Sequence, residues 1–122
     1  MNNQQGGQKR KVVLIYPFTF MRELLKSIIN KEKSFNLLRT YKSLQFLNHP
    51  TVYQNAQVII RPFLFPNHIP KIYQHFLILH PNVMDIAISE NGGTIQTRLA
   101  HKTRIVPVQS LNALITLMKQ AA

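Results

Sequence analysis

Apolar residues in this chain follow two spacings. Continuous runs occur at 12–16 (Val-Val-Leu-Ile-Tyr) and 58–60 (Val-Ile-Ile), and an almost continuous one at 83–89. Short runs of this kind predict strands buried on both faces. Between the first two, Met21, Leu24, Leu25, Ile28 and Ile29 recur at helical spacing, which predicts a helix over 20–31 with Thr19 as its cap. A short second strand is expected at 35–40, and Leu44, Phe46 and Leu47 mark a weak second helix ending near His49-Pro50.

The second half repeats this rhythm. The segment 61–66, Arg-Pro-Phe-Leu-Phe-Pro, reads as a loop because it holds two prolines. Ile72, Tyr73, Phe76, Leu77 and Leu79 give the apolar face of a helix over 69–80, and Pro81 follows its end. Asn91-Gly92-Gly93 predicts a turn, after which Thr94 caps a short helix over 94–100. A fifth strand is expected at 104–108. Ser110 then caps a last helix whose inner stripe is Leu111, Leu114, Ile115 and Met118.

Strands alternating with helices imply a parallel sheet covered on both faces. Right-handed crossovers make it a doubly wound α/β sandwich. The expectation is a single domain over 12–122 with five parallel strands in the flavodoxin-like order 2-1-3-4-5, preceded by a flexible basic tail over 1–11.

Composition narrows the function classes. The 122 residues include no cysteine, which excludes disulfides, thiolate catalysis and cysteine-ligated metal. No apolar run approaches the length of a membrane span, and the polar N-terminus lacks the apolar core of a signal peptide. The sequence therefore reads as a soluble, cytoplasmic protein with no membrane partner. Fifteen Lys and Arg face only four acids, Glu23, Glu32, Asp85 and Glu90, for a net charge of +11. That imbalance points to an anionic partner or to a solvated basic surface. Two segments concentrate the charge, 9–11 and His101-Lys102-Thr103-Arg104.

No constellation points to catalysis, a metal or a cofactor. The four acids are scattered, and His49, His68, His75, His80 and His101 show no ligand spacing with acids nearby. Ser89 has no evident base beside it. Gly92, Gly93 and Thr94, opening the expected helix, form with Arg61 a candidate anion site at the carboxyl ends of neighbouring strands; the alternative is a plain turn. Phe63, Leu64 and Phe65 in a loop indicate either a covered pocket or a contact surface.

Several local strings resemble response-regulator receivers of the NarL/FixJ type. Met21-Arg22-Glu23-Leu24-Leu25 resembles their opening helix and Phe35-Asn36-Leu37-Leu38 their second strand. Val58-Ile59-Ile60 followed by Pro66 resembles their third strand and its loop, and His80-Pro81-Asn82 before a strand ending in Ser89 their third-helix exit and fourth strand. The resemblance spans about 12–119. It implies a receiver whose chemistry is lost. Tyr16 and Pro17 match the magnesium-holding acids, Pro62 (or Arg61, one register back) the phosphorylated Asp, and Pro107 the Lys of the fifth strand. Only the hydroxyl residue survives, as Ser89. A pseudo-receiver of this kind is expected to be a non-enzymatic protein-interaction module, partnered with another protein or with itself, in signalling or transcription regulation. The family's dimer surface would fall on 94–100, 104–108 and 111–119, and the candidate contact residues in and beside it are Lys102, Arg104, Val108, Leu111 and Ile115. The alternative is a basic domain that binds nucleic acid through phosphate contacts. DNA could also be reached through a further domain outside this chain.

Overall fold

The structure, a computed structural model, describes residues 9–108 and 110–120. The expected tail over 1–8 lies outside the described residues. Strands run at β1 Arg10–Ile15, β2 Phe35–Tyr41, β3 Val58–Pro62, β4 Met84–Ile88, β5 Thr94–Leu99 and β6 Lys102–Pro107. Helices run at α1 Thr19–Asn30, α2 Pro50–Tyr53, α3 Lys71–Leu79 and α4 Leu111–Lys119, with short 3-10 turns at Leu44–Asn48 and Pro66–His68.

The chain is α/β, and its six strands form one sheet in the order β2-β1-β3-β4-β5-β6. The first four are parallel, in the 2-1-3-4 order expected. The expectation of five parallel strands fails beyond β4. β5 runs antiparallel to β4, and β6 antiparallel to β5. The helix expected over 94–100 is strand β5. Ile95 and Leu99 are four apart and fit a helix face, but they also fit an alternation of Ile95, Thr97 and Leu99 against Gln96 and Arg98. The alternation wins, because Ile95 and Leu99 pack on the core and Thr97 is buried beside them.

Alternation along β1 splits the core in two. Val12, Leu14 and Tyr16 face α1 and α4, packing with Leu25, Ile29, Leu114 and Met118. Val13 and Ile15 face the opposite side, with Leu47, Tyr53, Tyr73 and Phe76 of the second helical layer. At roughly 1.5–3 kcal/mol for each fully buried large aliphatic side chain, these two layers supply the main drive to fold.

Boundaries shift where local chemistry decides. Phe18, not Thr19, occupies the α1 cap position, and it supplies no side-chain cap. α3 begins after Pro70 rather than at 69. Arg10 and Lys11 belong to β1 instead of preceding it. Arg61 and Pro62, read as loop, extend β3. The missing proline N–H is tolerated because β1 pairs with β3 only at Val58–Ile60, while the Phe63 N–H donates to Ile88 on the other side.

The β5–β6 hairpin closes through a two-residue turn at Ala100 and His101, both at positive φ (53° and 64°). Such a turn matches the twist of paired strands but strains residues with a Cβ. Replacing the pair by the favoured dipeptide (Ala100→Asn with His101→Gly) should stabilise the fold by about 1 kcal/mol. The urea midpoint should rise with an unchanged slope. A lower midpoint would contradict the turn.

Candidate functional site

The parallel strands converge on a carboxyl-terminal edge where doubly wound sheets hold their ligands. After β1 the chain turns to α1 on one face, and after β3 it proceeds to α3 on the other. The gap between β1 and β3 is thus the topological switch point. A cavity of about 460 Å³ opens there, lined by Tyr16, Phe18, Met21, Leu44, Pro62, Phe63, Leu64, Ile88 and Glu90. Phe18 is 59% exposed and Phe65, stacked edge-on against Phe63 at 5.6 Å, is 65% exposed. Phe63 and Leu64 therefore line a pocket, and Phe65 stands on the surface beside it.

The expected receiver positions are only partly gathered here. Tyr16 and Pro62 line the cavity. Ser89 instead organises the β4–β5 turn: its hydroxyl donates to Asn91 Oδ1 at 2.8 Å and accepts from the Thr94 N–H at 3.0 Å. Pro107, expected in a strand beside β4, instead ends β6, which lies two strands from β4, and pairs there with Thr94 of the neighbouring β5.

Arg61 points elsewhere. Its side chain is buried on the sheet face that carries α3. Nε donates to Asp85 Oδ1 at 3.0 Å and Nη2 to Oδ2 at 2.9 Å, a two-pronged ion pair between β3 and β4. The Tyr73 hydroxyl donates to Asp85 Oδ1 at 2.6 Å, and Arg61 Nη1 donates to the Pro62 carbonyl at 3.2 Å. Burial alone would lower the Arg61 guanidinium, but the charge of Asp85 and hydrogen bonds to its neighbours hold it above its usual value. Burial, then the nearby Asp85 charge, pushes the Tyr73 hydroxyl well up.

The candidate anion site does not form. Arg61 is committed to Asp85, and Gly92, Gly93 and Thr94 open a strand, so they offer no helix start. The Gly93 N–H already donates to Asn91 Oδ1 at 2.8 Å. The expected α4 contact surface also closes: Ile115 is buried, and Val108 and Leu111 pack on the same core, leaving Lys102 and Arg104 exposed on β6.

Sequence reading missed the Asp85 role. A lone acid inside the apolar string Met84-Asp85-Ile86-Ala87-Ile88 was a usable signal, because a carboxylate buried in a sheet must be paired. The two basic segments also have an unforeseen relation. The Ala100 N–H donates to the Pro81 carbonyl at 2.8 Å, so the hairpin turn lies at the amino-terminal edge of the parallel strands. That is the edge where β1 begins with Arg10 and Lys11. Most of the basic groups named by sequence thus gather at the end opposite the cavity.

No family model matches the chain, and no curated protein or solved structure matches it. No helix among the described residues is long and apolar enough to cross a membrane.

Three tyrosines report on this packing. Burial raises Tyr16 and Tyr53 to about 12, and Tyr73 also rises. The folded state favours the protonated phenols. Their contribution to stability is thus intact below about pH 10, where unfolded tyrosine ionises, and is lost as pH climbs toward 12. Phenolate absorbance should rise late, together with unfolding. Ionisation of Tyr16, Tyr53 and Tyr73 near pH 10 in a folded protein would contradict the burial.

Proposed function

We propose that this chain is a non-enzymatic, receiver-like module that binds a protein partner in signalling or transcriptional control and is not phosphorylated on aspartate. One observation carries the reading. The carboxyl-terminal strand edge, where a receiver would hold magnesium and its phosphoryl group, is an apolar cavity with aromatic walls. Magnesium takes oxygen ligands, usually including carboxylates. Tyr16, Pro17 and Pro62 supply none. Both Asp85 oxygens are engaged by Arg61 and Tyr73. Glu90, the cavity's one acid, stands alone on the loop after β4.

Exposed Phe18, Phe20 and Phe65 around that edge favour a protein contact over a plain solvated surface. This relocates the partner surface from α4 to the phenylalanine-rich edge. Self-pairing through β6 is disfavoured, because Lys102 and Arg104 would meet the same charges in a second copy.

Phosphate-backbone binding is supported by one observation, the gathering of basic residues at the amino-terminal strand edge. A salt titration of duplex binding separates the two readings, since each phosphate neutralised contributes a slope of about 0.9.

Beryllofluoride with magnesium, which mimics an acyl phosphate, tests the main reading. Amide spectra and intact mass should be unchanged. Magnesium-dependent shifts around Tyr16, Pro62 and Ser89 would overturn it.

A further inference from the structure

We propose that the cavity between the ends of β1 and β3 binds a small organic cation, an aromatic or branched aliphatic body carrying a protonated amine. The inference rests on the same cavity as the partner-binding reading, but a small-molecule titration and a partner-binding assay can fail separately. Its first support is place and size. The cavity lies at the switch point of the sheet, where ligands of such folds bind, and its volume of about 460 Å³ suits a small molecule. The walls are predominantly apolar, and the Phe18 and Phe63 rings at its mouth are 59% and 40% exposed. A ring seated between them would remove this apolar surface from water.

The polar groups specify the rest of the ligand. Tyr16 is only 3% exposed, and its hydroxyl has no hydrogen-bond partner among the described residues. No fully occluded polar side-chain atom among those residues lacks a partner. The hydroxyl is therefore not sealed in the core, and Tyr16 lines the cavity onto which it can open. Glu90 supplies the charge. Glu23 pairs with Lys26 at 3.5 Å, Glu32 with Lys119 at 3.2 Å and Asp85 with Arg61 at 2.9 Å. Glu90 has no Lys or Arg within ion-pair distance among the described residues, in a chain that holds 15 of them. A carboxylate in a cavity with aromatic walls is an arrangement that recognises an ammonium group, through a charge-assisted hydrogen bond and attraction to the rings.

The net charge of +11 does not defeat this. The basic edge at the start of β1 is a strand length away, roughly 20 Å, more than twice the screening length of about 8 Å at physiological ionic strength. Arg22, which does not line the cavity, is buried; it donates to the Tyr16 carbonyl at 2.8 Å, and Glu23 lies 3.9 Å from it.

The test is an amide-shift titration of the full chain with 2-phenylethylamine, its neutral counterpart 2-phenylethanol and the anion 3-phenylpropionate. The amine should shift Phe18, Phe63 and Glu90 amides and bind about ten-fold tighter than the alcohol, the effect of one charge-assisted contact. The anion should bind more weakly than the alcohol. Glu90→Gln should reduce the amine to the level of the alcohol and leave the alcohol unchanged. Phe63→Ala should weaken both alike. Both residues are substantially exposed, so the amide spectra of the variants should otherwise match the parent. Equal amine binding with and without Glu90 would overturn the proposal. So would a preference for the anion, shifts confined to another surface, or no saturation by any of the three, which would leave a partner's side chain as the occupant.

Discussion

The buried pairing of Arg61 with Asp85 decides which groups reach the working edge of this sheet. Arg61 follows the wholly apolar Val58-Ile59-Ile60 and could have projected a guanidinium toward the strand ends. Instead two hydrogen bonds at 3.0 and 2.9 Å turn it onto the α3 face, and Tyr73 closes the remaining demand of the carboxylate. With that charge held inside, the ends of β1, β3 and β4 are left with Tyr16, Pro62 and Ile88. The apolar cavity follows. A buried ion pair is not in itself strong evidence of added stability, because desolvation offsets much of the attraction. Its role here is specification: it aligns β3 with β4 and removes a cation from the edge.

The same separation organises the surface. Arg10, Lys11 and Lys102 begin strands at the amino-terminal edge, and the carboxyl-terminal edge carries phenylalanines and Glu90. Arg10 also donates to the Met118 carbonyl at 2.9 Å, placing positive charge at the end of α4 where the helix dipole favours it. Part of the excess charge therefore serves the fold. The two edges thus differ in chemistry, one basic and the other largely apolar.

Much of the framework was legible from residue spacing. The apolar runs of β1, β3 and β4 and the helical stripes of α1, α3 and α4 admit few alternatives. The hairpin was not legible because Thr97 completes the strand pattern only if a threonine is counted as core-facing. Its turn, Ala100-His101, also lacks the Asn-Gly or Gly residues that mark such turns. For the site, Tyr16, Pro62 and Phe63 were singled out by position. The direction of Arg61 was not, since a loop reading of 61–66 left its side chain free to point anywhere. Glu90 drew no notice because its lack of an ion-pair partner is visible only in three dimensions.

The most direct measurement is a double-mutant cycle of Arg61→Met and Asp85→Leu. It should be made in a Tyr73→Phe background so that no buried hydroxyl is orphaned. Each single change leaves a buried charge unpaired and should cost about 3–5 kcal/mol of unfolding free energy, with the double variant returning to within about 1–2 kcal/mol of the parent. Additive losses, or single losses below about 1 kcal/mol, would mean that Arg61 is not fixed by Asp85 and remains available at the strand edge, contrary to this account.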